Sequence, residues 1–316
     1  MTLLYDDTIF LKHETGRHPE RAERIRDLSA RLDEAGLRPL CERPEFQPVA
    51  PNRLARIHAP DYVTEVWSLA KSGGGDLDPD TVVSPASYDV ALMAAGSACD
   101  ATERVLRGED TQALCLVRPP GHHAMLNHAM GFCLFNNVAI AARVATEDFE
   151  LDRVLIVDWD IHHGNGTQAA FWDDPKVGFY SIHRWPFYPG TGAAEETGVA
   201  AGAGTILNMP VRFGISRREY LDRFRQGLEQ LAEKIRPQLI LLSAGFDAHR
   251  ADPVGNLGLE AEDFGTMTEA LLDVADTHAQ GRIVGVLEGG YNPDALATCV
   301  ECHLREMLRH QGKLPG

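Results

Sequence analysis

Six short runs rich in valine, isoleucine and leucine constrain the fold of this chain more than any other feature. Apolar residues follow one another in these runs with few polar interruptions, a pattern typical of strands buried on both faces of a parallel sheet. The runs are Leu3–Tyr5, Ala113–Val117, Val154–Val157, Val177–Ile182, Leu239–Leu242 and Ile283–Leu287.

Segments with a helical pattern lie between those runs. They are Pro19–Glu34, Ser87–Leu106, Asn136–Ala145, Arg217–Ile235, Glu260–His278 and the stretch Asp294–His310. Alternation of strands and helices predicts an α/β fold, with a doubly wound and mostly parallel sheet flanked by helices. The 316 residues show no long linker or repeat, and we expect one domain over residues 1–316.

The net charge of −16 limits the partners of the chain. A strongly acidic protein repels nucleic acid phosphates and attracts cations, so we expect no direct nucleic acid binding, and a cationic substrate fits better. The alternative is that the acidity only keeps the protein in solution. There is no apolar run of the roughly 20 residues that a membrane helix needs, and the first residues lack the features of a signal peptide. We therefore expect a cytoplasmic protein without a membrane partner. The sequence carries no signal for an oligomeric state.

The six cysteines are scattered along the chain and do not form a disulfide framework. Cys299 and Cys302 make a C-x-x-C, which is found in redox sites and as half of some zinc sites. No second pair accompanies it and it lies in a helical stretch, so we expect it to have no special role.

Ionisable side chains cluster where four of the predicted strands end. Ligands bind outside the carboxyl ends of the strands in open α/β sheets, so a site is expected there. The four segments are Arg118-Pro119-Pro120-Gly121-His122-His123, Asp158-Trp159-Asp160-Ile161-His162-His163-Gly164-Asn165-Gly166, Ser243-Ala244-Gly245-Phe246-Asp247 and Glu288-Gly289-Gly290-Tyr291-Asn292.

The second of these segments predicts a metal site. In an extended strand, residues two apart share a face, so Asp158, Asp160 and His162 would point the same way. Asp160 and His162 can then reach one ion, and Asp247 at another strand end can supply the third ligand of an open catalytic site. The alternative is that these side chains cap a helix or lie in the core, but acids and histidines are costly to bury without a partner.

Two further groups at the strand ends suit proton transfer. His122 and His123 follow a rigid Pro-Pro-Gly turn, and a histidine near its free pKa can accept and return a proton. Tyr291 follows two glycines, and a tyrosine hydroxyl held there could donate to an oxyanion. Each signal alone is also compatible with a packed residue of no catalytic role.

Together these motifs resemble the histone deacetylase family, which has the arginase–deacetylase fold. The resemblance extends from His18-Pro19-Glu20 through Gly131-Phe132-Cys133 to Tyr291. Pro-Pro-Gly-His-His, His-His-Gly-Asn-Gly and Glu-Gly-Gly-Tyr are similar to the class II branch, which includes bacterial amidohydrolases and acetylpolyamine deacetylases.

The resemblance implies a zinc-dependent amidohydrolase that removes an acyl group from acetyl-lysine or an acetylpolyamine by metal-activated water. His123 would be the general base, oriented by Asn165, and Tyr291 would polarise the substrate carbonyl. The implied catalytic residues are His122, His123, Tyr291, Asp158 and Asn165. The implied zinc ligands are Asp160, His162 and Asp247. A structural potassium ion would use Asp158, Asp160, His162, Ser181 and the Ile182 carbonyl. The implied substrate-binding residues are Gly131, Phe132, Tyr188, Val254 and Arg24, of which Arg24 resembles the arginine that lines the acetate exit route.

The sequence departs from the family pattern at the tunnel that would hold the substrate. Tyr188 lies where the tunnel wall is usually phenylalanine, so its hydroxyl would narrow or polarise the channel. Val254 lies where leucine or methionine is usual, so the mouth would be wider, and the gatekeeper glutamate that favours polyamines is absent. Candidates for a substrate-gripping acid at the rim are Asp76, Asp78 and Asp80, for which a solvated loop is the alternative.

Two other functions compete with a zinc deacetylase. An arginase-like dimanganese hydrolase would need more carboxylates at the strand ends and would leave Tyr291 without a role. A non-catalytic acyl-lysine binding module would be indicated by loss of Tyr291 or His123, and both are present. Two carboxylates and a histidine also suit iron(II) or cobalt. The expected partner is a cationic N-acylated small molecule or an acetyl-lysine protein.

Overall fold

A seven-stranded parallel sheet forms the centre of the protein, in a computed structural model that describes residues 2–315. The strand order is β1-β4-β9-β8-β5-β6-β7, and every neighbouring pair is parallel. The strands are β1 Leu3–Tyr5, β4 Gln112–Cys115, β5 Val154–Asp158, β6 Val177–Arg184, β7 Ile206–Val211, β8 Leu239–Ala244 and β9 Ile283–Leu287. A separate antiparallel hairpin joins β2 Gly75–Asp78 to β3 Thr81–Val83.

Helices cover both faces of this sheet. They are α1 Glu23–Glu34, α2 Pro51–Leu54, α3 Pro60–Lys71, α4 Ser87–Arg107, α5 Asn137–Arg143, α6 Asn165–Ala170, α7 Arg217–Ile235, α8 Ala261–Ala279 and α9 Pro293–His310. The predicted fold class, a doubly wound and mostly parallel α/β sheet with flanking helices, is confirmed.

Alternate residues of the central strands supply two hydrophobic cores. On β5, Leu155 and Val157 face the core formed with α1, α7, α8 and α9, while Val154 and Ile156 face the core formed with α4 and α5. All four side chains are fully buried. The continuous apolar runs of the sequence therefore reflect burial of both sheet faces.

The seventh strand, β7, was not predicted from the sequence. It lies at the edge of the sheet, and half of its residues are only partly buried. Its sequence contains Asn208 and Pro210. Proline has no backbone N–H to donate, and an edge strand tolerates this because one of its sides has no neighbouring strand. Helices α2, α3 and α6 and the β2–β3 hairpin were also missed, since they contain no long apolar run.

Two expectations outside the site concern membranes and cysteines. No helix within residues 2–315 has both the length and the apolar composition needed to cross a bilayer. All six cysteines are free thiols, and Cys299 and Cys302 lie on α9 without a disulfide between them.

Candidate metal centre and active site

The strand order brings the four polar segments together. Strands β4, β9, β8 and β5 are consecutive neighbours in the sheet, so their carboxyl ends form one continuous edge. The segments that follow these strands contain the two histidines after the proline turn, the Asp158–Gly166 stretch, Asp247 and Tyr291. The site predicted from strand ends is therefore assembled at one place.

Asp160, His162 and Asp247 form the group of side chains best suited to hold a metal. Their ligand atoms all lie within 4.8 Å of one another, and all three side chains are buried. The Nδ1 atom of His162 lies 2.9 Å from Asp160 Oδ1 and 3.0 Å from Asp247 Oδ2. Two carboxylates and one imidazole match the ligand number and type of an open catalytic zinc site.

The backbone turns after the strand, and this turn presents the ligands. Strand β5 ends at Asp158, so Asp160 and His162 do not share a face through strand geometry as the sequence suggested. Instead, the His162 N–H donates to Asp160 Oδ1 at 2.9 Å, and the Gly289 N–H donates to Asp160 Oδ2 at 2.9 Å. A Cβ atom on Gly289 would lie 2.5 Å from Asp160 Oδ2, so only glycine allows this approach.

A cation fits the charge of this group. Asp160 and Asp247 are both fully buried, and Asp247 Oδ2 makes no hydrogen bond of regular geometry although His162 lies near it. Burial and the neighbouring Asp160 carboxylate raise the pKa of Asp247 to about 7. Buried carboxylates without full hydrogen bonding are stabilised by a positive charge, which a bound metal supplies.

A second group of potential ligands, His122, Cys133 and Glu288, lies close by and is less suited to a metal. Burial raises the pKa of the Cys133 thiol well above its usual value, so the sulfur stays protonated. The carboxylate of Glu288 accepts the Gly121 N–H at 2.7 Å and the Ser243 hydroxyl at 3.2 Å. The Cys133 thiol also donates to the Gly131 carbonyl at 3.3 Å, so its sulfur is already engaged within the protein.

His122 is paired with a carboxylate. Its Nδ1 lies 2.9 Å from Asp158 Oδ2, and both side chains are buried. Burial alone would lower the pKa of His122, but the negative charges of Asp158, Asp160 and Glu288 outweigh it and raise the pKa to about 10. These negative charges favour the imidazolium form of His122.

His123 lies beside His122 in a different environment. Its Nδ1 lies 2.7 Å from Asn165 Oδ1, the first residue of α6. Burial and the positive charges of His122 and His162 hold the pKa of His123 well below its usual value. The neutral ring donates its Nδ1 proton to the Asn165 oxygen, because an amide oxygen can only accept, and its Nε2 atom is left as a base.

Tyr291 is fixed from three sides. Its ring makes an edge contact with Phe132 at 5.4 Å between centroids, and the Arg24 guanidinium lies 5.0 Å from its centroid. Its backbone N–H donates to Asp252 Oδ2 at 2.6 Å. The side chain is 6% exposed, which leaves little freedom to the hydroxyl-bearing ring.

Arg24 is completely buried, and each of its three side-chain nitrogen atoms donates a hydrogen bond within the protein. Nε donates to the Gly290 carbonyl and Nη2 to the Glu288 carbonyl, each at 2.5 Å, and Nη1 donates to Glu20 at 3.1 Å. Arg24 thus holds the turn that carries Tyr291.

The residues expected to bind substrate surround these groups. Phe132 contacts Tyr291, and Tyr188 makes an edge contact with His123 at 5.2 Å and is 37% exposed. The Gly131 backbone has φ +58° and passes directly beside the His123 ring. Val254 lies in a turn, and its own backbone N–H donates to Asp252 Oδ1 at 2.9 Å.

The residues expected around potassium also lie together. Asp158 on β5 is the register partner of Ser181 on β6, next to Ile182. All three are fully buried, and Asp158 leads into the turn containing Asp160 and His162.

Of the rim acids, Asp80 is used within the protein. Its Oδ1 accepts the Gly131 N–H at 3.1 Å, while Asp76 is exposed and Asp78 is partly buried on β2.

Two acids with a role at the site were not singled out from the sequence. Glu288 accepts the backbone N–H groups of Gly121 and His122, so it shapes the histidine turn. Asp252 anchors Tyr291 and the loop of Val254. Both acids accept hydrogen bonds from backbone N–H groups, and such bonds produce no recognisable sequence pattern. The position of Glu288 at a strand end was the one available signal.

Comparison with known proteins gives the family. A model of the histone deacetylase domain matches residues 18–307. The chain belongs to the histone deacetylase family. It is 38% identical to the histone deacetylase-like amidohydrolase of Pseudomonas aeruginosa over 283 residues, covering 89% of this chain and 74% of that protein. It is 38% identical to a probable deacetylase of Archaeoglobus fulgidus over 290 residues, covering 90% and 79%.

The fold of this histone deacetylase family member is also that of a solved relative. The crystal structure of the HDA15 HD domain superposes with a TM-score of 0.90 at 34% identity, covering 98% of this chain and 96% of that one. The predicted family and fold are confirmed. Membership supports amidohydrolase activity and generally implies a metal ion, for which Asp160, His162 and Asp247 are candidate ligands.

Proposed function

We propose that this protein is a zinc-dependent deacetylase that hydrolyses the acyl amide of a cationic amine. The observation that carries the proposal is the buried group of Asp160, His162 and Asp247 beside a neutral histidine and a rigidly held tyrosine. Metal ligands, a base and an oxyanion donor are the components that amide hydrolysis by activated water requires.

Asp160, His162 and Asp247 would hold the metal. When bound, zinc would supply Lewis acidity, which lowers the pKa of a water molecule toward about 7 and polarises a carbonyl group. Iron(II) or cobalt would fit the same ligands, since two carboxylates and one imidazole do not discriminate strongly among these ions. We further propose a structural potassium ion held by Asp158, Asp160, His162, Ser181 and the Ile182 carbonyl.

His123 is the general base in this proposal. Its ring is neutral and Nδ1 is engaged by Asn165, so Nε2 is available to accept a proton and later to return it to the leaving amine. His122, kept cationic by Asp158, places a positive charge next to the negative charge that develops during attack.

The Tyr291 hydroxyl would donate a hydrogen bond to the oxygen of the scissile carbonyl. The contacts with Phe132, Arg24 and Asp252 hold the ring in place before substrate binds, which reduces the reorganisation needed in the transition state. Phe132 and Tyr188 would enclose an aliphatic arm, and the Gly131 carbonyl would accept the amide N–H. Val254, shorter than leucine, would leave a wide mouth.

The proposed substrate is an acetyl-lysine protein or an N-acetylated polyamine. Each presents an acyl amide on an aliphatic chain that belongs to a cationic molecule, and the net charge of −16 attracts such a molecule. The same charge disfavours direct contact with nucleic acid.

The test is acetate release from a panel of acetyl-lysine peptides and N-acetylpolyamines by the zinc-loaded protein, with and without a hydroxamate chelator. We expect hydroxamate-sensitive release, and a loss of about 10²–10³ in kcat for Tyr291→Phe with unchanged zinc content. Near-normal turnover of Tyr291→Phe would remove the tyrosine from this role. Two metal ions per chain would favour a dimanganese hydrolase instead, and binding without hydrolysis would favour an acyl-lysine binding module.

A further inference from the structure

The side-chain amide of Asn165 lies between a histidine and two thioethers. Its Oδ1 is 2.7 Å from His123 Nδ1, while its Nδ2 donates to Met125 Sδ at 3.4 Å and to Met130 Sδ at 3.3 Å. Within residues 2–315, Nδ2 has no oxygen or nitrogen acceptor. The two sulfur atoms are thus the hydrogen-bond partners that the protein offers to Nδ2.

The orientation of this amide decides where the His123 ring carries its proton. An amide has an acceptor oxygen at one end and a donor NH₂ group at the other, and the two orientations occupy the same space. In the observed orientation the oxygen accepts from Nδ1–H, and Nε2 is unprotonated. After a flip, NH₂ would face Nδ1, which would then have to accept, and the proton of the neutral ring would move to Nε2.

Thioether sulfur is a weak acceptor and has no donor hydrogen. A flipped Asn165 would place its carbonyl oxygen against the lone pairs of two sulfur atoms, which is unfavourable at both. The observed orientation places two N–H groups there instead. The two weak acceptors lie on the same side of the amide, so both favour the observed orientation of Asn165.

We propose that Met125 and Met130 are positioning residues that fix the orientation of Asn165 and thereby the Nδ1–H tautomer of His123. The inference rests on the proposed role of His123 as general base through Nε2. Each methionine would act through Asn165 and would not touch substrate.

Both sulfur atoms are held by an anchored backbone. The Met125 N–H donates to the His128 carbonyl at 3.0 Å, and the Met125 carbonyl accepts the His58 ring N–H at 2.9 Å. The Met130 carbonyl accepts the Cys133 N–H at 3.0 Å in a turn that also carries Gly131. These contacts limit the positions that the two flexible side chains can take.

The test is the double variant Met125→Leu/Met130→Leu, because leucine preserves volume and apolar character while removing the acceptor. We expect kcat to fall about tenfold or more with KM changed less than about twofold, since the base is in the wrong tautomer for part of the time. Met267→Leu, a buried methionine of α8 away from the site, is the matched control and should leave kcat unchanged.

A spectroscopic measurement separates positioning from a general structural effect. In [¹⁵N]histidine-labelled, zinc-loaded protein, His123 is assigned by loss of its signals in His123→Gln. We expect the Nδ1–H tautomer in the wild type and a growing share of Nε2–H in the double variant. An unchanged tautomer together with unchanged kcat would overturn the inference.

The Asn165→Asp background provides a second check, because a carboxylate has two equivalent acceptor oxygens and no orientation to choose. Adding Met125→Leu and Met130→Leu to the Asn165→Asp variant should leave the His123 tautomer unaltered. This expectation does not depend on how active the Asn165→Asp variant is. A tautomer change of the same size with aspartate would show that the methionines act by another route and would refute the inference. If His123→Gln and the wild type have equal activity, the proposed function fails instead, which is a distinguishable result.

Discussion

Replacing Asp252 with asparagine should weaken both the fold and the reaction. Asp252 is 6% exposed, and its two oxygens serve different parts of the site. Oδ2 accepts the Tyr291 N–H at 2.6 Å, and Oδ1 accepts the N–H groups of Val254 and Gly255 at 2.9 Å each. One carboxylate therefore joins the turn that carries the tyrosine to the loop at the mouth.

Asparagine has the same shape but only one acceptor oxygen. If this oxygen keeps the Val254 and Gly255 bonds, the amide NH₂ faces the Tyr291 N–H, and a buried donor is left unpaired. Losing a hydrogen bond to a charged group, and leaving its donor buried without a partner, lowers the free energy of unfolding by about 2–3 kcal/mol. The unfolding entropy of 316 residues is roughly 0.7 kcal/mol/K, so the melting temperature should fall by about 3–5 °C.

The effect on the reaction should be larger in kcat than in KM. The lost hydrogen bond is made by the backbone N–H of Tyr291 itself, so its loss can shift the tyrosine. A displacement of about 1 Å at a reacting group can cost on the order of 10² in rate. We expect Asp252→Asn to lower kcat by about 10- to 100-fold and to change KM by less than about threefold.

The assay combines thermal unfolding with steady-state kinetics on an acetyl-lysine peptide. Asp222→Asn on the exposed surface of α7 is the control, and a change below about 0.5 kcal/mol is expected there. A variant of Asp252 that melts within 1 °C of the wild type and keeps half of its kcat, or more, would refute the reasoning that this carboxylate positions Tyr291.

Three further predictions concern backbone space, pH and metal. Gly131→Ala should abolish most activity, since its φ of +58° is unfavourable for alanine and the added Cβ would collide with the His123 ring; kinetics and unchanged metal content would check this. Burial lowers the pKa of His58 to about 4, and because the unfolded chain then binds the proton more readily, stability should fall by up to about 3 kcal/mol as pH drops from 6.5 to 4. Denaturant unfolding should show a shallower pH dependence for His58→Gln. Removal of the metal by a chelator should lower the melting temperature of the wild type by about 4 °C, as for a ligand at 100 times its Kd, and should not change that of Asp247→Ala.

The sheet was predictable where its strands are buried on both faces. Burial on two sides requires a continuous apolar run, as in β5 and β8, and such runs are visible without any structure. Strand β7 has a solvent-facing side and a proline, so its composition does not differ from that of a loop. The strand order was not predictable, because the connecting helices permit several orders with the same sequence pattern.

The site was predictable to the extent that its residues are close in sequence. Asp160 and His162 follow one strand, and their proximity required no long-range information. The contacts of Arg24 with the carbonyl groups before Tyr291 join residues more than 260 positions apart, and only the family resemblance placed Arg24 near the site. Met125 and Met130 gave no signal, because methionine in a loop has no residue pattern that indicates a hydrogen bond to Asn165.

The five buried acids at this edge of the sheet explain where a cation is needed. Asp158 has the imidazolium of His122, and Asp252 and Glu288 each accept backbone N–H groups. Asp160 accepts backbone N–H groups with both oxygens. Asp247 uses Oδ1 for the Ile161 N–H, and its Oδ2 remains without a regular hydrogen bond.

Every carboxylate in a low-dielectric interior requires compensation, and these acids obtain it from different sources. The oxygen of Asp247 that faces Asp160 and His162 lacks a regular hydrogen bond, so a bound metal ion would stabilise the fold at this point. If a bound ion stabilises the fold through this oxygen, Asp247→Asn should lose metal affinity while gaining stability in the metal-free protein. Calorimetric metal titration and chelator-treated unfolding would measure both effects, and a metal-free variant less stable than the metal-free wild type would contradict this argument.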